Sequence, residues 1–239
     1  IFPGSIFPIT IGRDKSIKLI EDAHKSNSLI GAVPQNDVSV EDPALDDLFP
    51  FGTVARIIKT FEMPDGTISA VLQGPKRFEI EDVVSSEPYL RAHVRYLEEF
   101  EANPEDPEIK VIADSLKEKA SAIIKSSSFA PKEAANAVKS IEDFNFLVNF
   151  IATTIDVENF FDKVELLKYE DLKVRAMKLL NVLDTQVELL KIKQEINSKV
   201  KNEIDQQQRE YYLNNQLRTI QEELGMDDSE EIEKLRAEA

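Results

Sequence analysis

Apolar residues follow two different rhythms along this chain, and the change falls near residue 100. Before it, they tend to alternate with polar ones in short runs. After it, they recur every three or four positions, and from Lys132 to Leu224 there is neither glycine nor proline. Alternation is the signature of a strand with one buried face; a period near 3.6 is that of an amphipathic helix. Six of the seven glycines lie at or before Gly74, and ten of the eleven prolines at or before Pro107. These residues punctuate turns and are excluded from long helices.

In the first half, Ile6 to Ile11 reads as a strand, Ser16 to Ser26 as a short helix and Leu29 to Val33 as a second strand. Thr53 to Phe61 and Thr67 to Gln73 flank Pro64-Asp65-Gly66, where glycine supplies the positive φ of a hairpin turn. Within Thr67 to Gln73, Ile68, Ala70 and Leu72 form one apolar face, and Val71 interrupts the polar face opposite. Arg77 to Val84 and Tyr89 to Leu97 supply two more strands. Short, regularly spaced strands with one helix predict a small barrel-like β subdomain over residues 1–98. The charged, proline-containing run over 99–108 reads as a linker.

The second half predicts a helical bundle over 109–184. Pro131 suits the first turn of one of its helices. Ser140-Ile-Glu-Asp143 resembles a capping box, with Phe144, Leu147, Val148, Ile151 and Ile155 following on one face. Thr185-Gln-Val-Glu188 resembles another, opening a long helix over 185–225 on Leu189, Ile192, Ile196, Val200 and Ile204. Its far end carries Tyr212, Leu213, Leu217, Ile220 and Leu224 and stops at Gly225, a cheap left-handed C-cap. Such a helix spans about 60 Å at the standard rise, too long to bury on a small bundle, so its outer part is expected to project or to pair with another helix. The stripe thins at Gln206-Gln207-Gln208, where a kink or a solvent-exposed stretch is expected, and residues 226–239 read as an acidic helical segment. The class is α+β: a β subdomain, then a bundle ending in a long projecting helix.

Composition narrows the chemistry. The formal charge is −16, with 29 basic and 45 acidic residues. Nucleic-acid binding rests on basic side chains neutralising phosphates, so this balance argues against that partner. There is no cysteine, which removes disulfides and thiolate metal sites, and His24 and His93 lie too far apart in sequence to suggest a metal centre. No apolar run reaches the ~18–20 residues that span a bilayer. A phosphate loop needs glycines ahead of a lysine, and the only glycine beyond Gly74 is Gly225. Lys125 beside Ser126-Ser127-Ser128 has the atoms of a Ser–Lys dyad, but in a polar stretch that reads as a loop ahead of a helix.

Particular strings carry more than periodicity does. QREYYLNNQLRTIQEELG, Gln208 to Gly225, resembles the segment just before the ATPase module of Lon proteases of the ATP-dependent LonA type, with Asn214 and Asn215 where that family usually carries a charged pair. FPGSIFPITIGRDKSIKLIEDA, from Phe2, resembles the start of a Lon amino-terminal domain. DPALDDLFPFGTVARIIKTFEMPDGT, from Asp42, and GPKRFEIEDV, from Gly74, continue the likeness. LLKYEDLKVRAMKLLNVLDTQVELLKIKQEI, from Leu166, resembles its helical half. The resemblance covers nearly the whole chain in family order. It implies a homohexameric parent protease that uses ATP and magnesium to thread unfolded or damaged proteins to a Ser–Lys dyad, with both active sites outside this chain. It implies a cytoplasmic setting, bacterial or in the mitochondrial matrix.

On this reading the chain is a non-catalytic piece that begins after the natural amino terminus, stops before the ATPase, captures protein substrates and helps order the ring. A free-standing β-domain and coiled-coil adaptor is the alternative. Aromatic–proline pairs and one strand mark the candidate client contacts Phe7, Pro8, Phe49, Phe51 and Val71; filling the core is the other use for these rings. Tyr212, Leu213, Leu217, Ile220 and Leu224 are the candidate helix–helix or inter-subunit contacts. No catalytic or metal-binding residue is assigned. The purified chain is expected to turn over neither ATP nor peptide. A coupled phosphate assay and a fluorogenic peptide assay check this; turnover abolished by one substitution in the chain would overturn it.

Overall fold

The computed structural model describes residues 1–37, 39–103, 105–127 and 132–224. Pro131, Gly225 and the acidic segment 226–239 lie outside these residues. Two compact units are formed, Ile1–Glu188 and Leu189–Ala239.

The first unit opens with β1 (Ile6–Ile11), α1 (Asp14–Ser26), β2 (Ile30–Ala32), β3 (Phe51–Glu62), β4 (Ile68–Ser85) and β5 (Arg91–Tyr96). The strands make a five-stranded antiparallel sheet in the order β1-β4-β3-β2, with β5 also paired to β4. The sheet is open, with β2 at one end of the order. The runs read as separate strands on either side of Gly74-Pro75 are one strand, β4. Register shifts in β3 between Val54 and Arg56 take up the glycine and proline, so the proline's missing N–H falls at an irregularity and not in the ladder. The hairpin at Gly66 forms as expected: its φ is 83°, and the Asp65 carboxylate accepts from the Thr67 N–H and hydroxyl, which holds it below the usual carboxylate range.

One face of the sheet is the core. Ile68, Ala70 and Leu72 of β4 meet Ile11, Ala55 and Ile30 and, from α1, Ile20 and Ala23. Gly52 is needed there: a Cβ would stand 2.7 Å from the Phe78 ring and 2.8 Å from the Ala32 carbonyl, so β2 could not lie so close.

The helices are α2 (Pro107–Ser126), α3 (Lys132–Ser140), α4 (Phe144–Thr154), α5 (Phe160–Glu165) and α6 (Leu172–Glu223). Their core is Ile112, Leu116 and Ile123 with Val138, Leu147, Ile151, Leu179 and Leu183. Two caps differ from expectation. Asp143 itself caps α4, accepting from Phe146 N at 2.6 Å, while Ser140 ends α3 and donates to Ala137 O. Thr185 is inside α6, its hydroxyl donating to Asn181 O one turn back. The long helix starts at Leu172, where Asp171 accepts from Val174 N. Its helical assignment is unbroken through Gln206–Gln208. Lys163, its amine lowered from the ordinary value by burial, closes the end of α4 by donating to Thr153 O and Ile155 O.

The two rhythms of the sequence meet at a buried charge cluster. Arg77, on β4, and Arg175, on α6, both have fully buried side chains, and Glu99 lies between them. One Glu99 oxygen accepts from Arg175 at 2.5 Å, the other from Arg77 at 3.1 Å. Arg77 also donates to the carbonyls of Leu167 and Tyr169, both at 2.7 Å; Arg175 donates to Tyr169 O and to Asn149 Oδ1. The next residue, Phe100, exchanges backbone hydrogen bonds with Glu170 and Leu172. The far end of the 99–108 run is tied as well: Asp106 caps α2 through Glu108 N, and Lys173 reaches both Asp106 and Glu108.

Removing one partner of a buried ion pair strands the others without compensation, a cost of several kcal/mol. Glu99→Ala is therefore expected to destabilise the first unit by about 3 kcal/mol. Urea unfolding followed by circular dichroism checks this; a loss below about 1 kcal/mol, the scale of an exposed pair, would deny the cluster its role.

Candidate substrate-binding surface

The face of the sheet opposite the core carries an apolar patch. In antiparallel strands, directly opposed residues share a face with Cβ atoms about 5 Å apart. Pro8 of β1 opposes Val71 of β4, and Val71 opposes Lys59 of β3. On either side, Ile6 opposes Gln73 and Gln73 opposes Arg56; Thr10 opposes Ser69 and Ser69 opposes Phe61. Alternation along β4 puts Ser69, Val71 and Gln73 on the side away from Ile68, Ala70 and Leu72. Ile6 is 60% and Phe61 46% exposed, Pro8 is exposed and Val71 half-buried. The Lys59 amine stands 4.6 Å from the centre of the Phe61 ring.

A bulge completes the patch. The register slips between Ile57 and Lys59, which leaves Ile58 unpaired with β4 and 48% exposed. The extra residue lets Ile57 face Leu72 in the core while both Arg56 and Lys59 fall on the outer face.

The structure thus joins Pro8 and Val71 as direct partners. Phe7, one residue along, opposes Leu72 on the core side but remains exposed. Phe49 and Phe51 lie elsewhere. The Phe49 ring packs on Phe161 of α5 with centroids 5.6 Å apart, and Phe51 opposes Glu79; both are half-buried. Ile6, Ile58, Lys59 and Phe61 were not singled out from the sequence. Ile6 shares the parity of Pro8 and could have been; the other three depend on the bulge, which has no sequence signal of its own.

A second concavity of about 1220 Å³ is lined by α1, β2 and β5, with Leu29, Phe78, Ile80 and Val94 on its walls and none of the five client candidates. In the second unit, Tyr212, Leu213, Leu217, Ile220 and Leu224 are all exposed, and the Tyr212 hydroxyl accepts from Gln216. Ser126 donates to Ala122 O within α2, and Ser127 caps that helix; Ser128 lies outside the described residues. His93 pairs with Asp82 at 3.1 Å on the surface. Among the described residues no group of three acidic or histidine side chains could hold a metal, and no helix is long and apolar enough to cross a membrane.

Residues 1–185 match the model of the ATP-dependent protease La (LON) substrate-binding domain. Over its whole length the chain is 45% identical to the Lon protease of Flavobacterium johnsoniae and 40% identical to that of Cytophaga hutchinsonii, and it spans 29% of the length of each. The fold resembles the N-terminal domain of the Mycobacterium avium complex Lon protease, with a TM-score of 0.61 and 22% identity over 77% of this chain and 92% of that one. It also resembles a Lon N-terminal domain protein from Xanthomonas campestris, with a TM-score of 0.54 and 16% identity over 76% of this chain and 91% of that one.

Because Pro8 and Val71 both face away from the core, Pro8→Glu with Val71→Glu is expected to leave the fold intact. The circular dichroism spectrum should be unchanged and the melting temperature should move by less than about 3 °C, the shift of roughly 1 kcal/mol in a domain of this size. Loss of the β signal would show that the patch is packed.

Proposed function

The chain belongs to the ATP-dependent protease La (LON) substrate-binding domain family, and on that premise we propose that it captures unfolded, damaged or regulatory protein segments on the outer face of its sheet, as part of a homohexameric ATP-driven protease of the bacterial cytoplasm. The observation that carries this reading is the joined patch of Ile6, Pro8, Val71 and Phe61, which turns away from the core that α1 covers. An unfolded chain exposes the apolar side chains that a folded one buries, so an apolar patch discriminates between them by the area each can remove from water. The polar rim of Thr10, Ser69 and Gln73 and the cations Arg56 and Lys59 leave a bound segment free to be released. ATP with magnesium, and the Ser–Lys chemistry, are assigned in this proposal to the remainder of such a protease. A single patch binds weakly, and six copies around a ring would supply avidity.

A fluorescently labelled, permanently unfolded polypeptide is expected to bind the chain more tightly than its folded counterpart. Pro8→Glu with Val71→Glu should weaken that binding about tenfold, the scale of removing one apolar anchor from a contact surface. Fluorescence anisotropy reads both; undiminished binding by the folded double variant would move the site elsewhere.

A further inference from the structure

The open sheet leaves β2 and β5 with one unpaired edge each, and both strands border the same concavity. β5 is paired only to β4 and β2 only to β3, yet the space of about 1220 Å³ is lined by α1, β2 and β5 together. Among the described residues the backbone of β5 makes no hydrogen bond except to β4. The donors and acceptors along its other edge are therefore a ready template for a further strand.

Edges of this kind are usually guarded by charge, but the charges of β5 are spent on its other face. His93 opposes Asp82 and Arg95 opposes Glu79, and each is paired with the residue it opposes, at 3.1 Å and 2.5 Å. Val94 opposes Ile80 and Tyr96 opposes Phe78, so alternation puts these four on the opposite, apolar face. The buried Phe78 ring reaches β2, where a Cβ on Gly31 would stand 3.0 Å from it. Phe78 is thus a floor, with Val94, 37% exposed, and Leu29, 48% exposed, bordering the same space.

Size and charge narrow the occupant. The space exceeds the roughly 300–1,000 Å³ of small-molecule sites, and the six residues of β5 run about 20 Å at the strand rise. An extended polypeptide segment has that shape. Lys15, at the start of α1, reaches Asp42 at 2.8 Å and Glu87 at 3.0 Å and so draws one end together. The charged side chains lining the space are Asp14, Asp22, Glu41 and Asp42 against Arg13, Lys15 and Arg91, in a chain of net charge −16. Lys15 is already shared by two carboxylates, while Asp14, Glu41 and Arg91 have no ion-pair partner among the described residues. The excess is negative, which favours basic over acidic flanks on the segment.

We propose that this seam is a polypeptide-binding site apart from the outer-face patch. An extended apolar segment with basic flanks adds as a strand to the free edge of β5 and seats alternate side chains on Ile80, Val94 and Leu29. Main-chain hydrogen bonds supply affinity and the alternate side chains supply preference. None of these residues belongs to the patch around Pro8 and Val71, so the two sites are tested separately.

The probe is a fluorescein-labelled peptide alternating valine and threonine, with lysine at each end, titrated into the full chain and read by anisotropy. Val94→Glu and, separately, Leu29→Glu should each weaken its binding about tenfold with an unchanged circular dichroism spectrum. Pro8→Glu with Val71→Glu should leave it unchanged. A strand edge uses the backbone of alternate residues. N-methylation of either the valines or the threonines should therefore abolish binding, and N-methylation of the other set should spare it. Glutamate in place of the terminal lysines should weaken it. Absence of binding, equal binding by both methylated peptides, indifference to the flanking charge, folded Val94 and Leu29 variants without effect, or loss in the Pro8 and Val71 variant would each overturn the proposal. Weakened capture of the unfolded polypeptide by that last variant would still leave the outer-face reading standing.

Discussion

Two guanidinium groups without access to water share one carboxylate, and the architecture of the first unit depends on that arrangement. Arg77 comes from the sheet, Arg175 from the long helix and Glu99 from the segment between them in sequence. Burial, with Arg77 alongside, lowers Arg175 from its ordinary value. Glu99 and the carbonyls of Leu167 and Tyr169 take the place of water around the two groups. A buried ion pair of this kind is weak evidence of extra stability, since desolvation offsets much of the attraction. It is stronger evidence of geometry, because the donors reach Glu99, Leu167 and Tyr169 only where sheet, connecting segment and long helix meet, with Arg77 Nε alone left without a partner among the described residues. That is why the strand half and the helices up to Glu188 form one compact unit.

The same unit shows how a sheet can be buried and available at once. The face bearing Ile68, Ala70 and Leu72 is closed by α1. The opposite face is one residue away along every strand, and two register irregularities, between Val54 and Arg56 and at Ile58, decide which β3 side chains reach it. The proposed client patch, supported in this way, is held by ladder hydrogen bonds and a packed core behind it. It can stay exposed without collapsing, which a patch on a loose loop could not.

The long helix changes character without a break. From Leu172 to Gln186 it supplies core residues, among them Leu179 and Leu183. Beyond Lys191 every described residue is exposed. Helical hydrogen bonding is continuous across that change, so a signal of where packing ends must come from side chains. The apolar stripe persists past the point where burial stops, so its outer side chains stand open to solvent.

Much of this was legible in the sequence for local reasons. Ile6–Ile11 is a strand in both readings, the Gly66 turn needs its positive φ, and the absence of glycine and proline from Lys132 to Leu224 declares the later helices. The pairing of Pro8 with Val71 was half visible, since each alone looked exposed on its strand. What sequence could not supply was whatever depends on distant partners. Asp143 and Asp171 cap helices because the chain turns there, while Thr185, with an equally good capping pattern, lies in mid-helix because Leu179 and Leu183 are already packed on the bundle. The bulge at Ile58 is set by the register against β4. Arg77 is marked in the sequence only as the start of a strand run, and its partners Glu99 and Arg175 lie 22 and 98 positions away. Local propensities act over a few residues, whereas a buried charge is satisfied only by groups that tertiary packing brings to it.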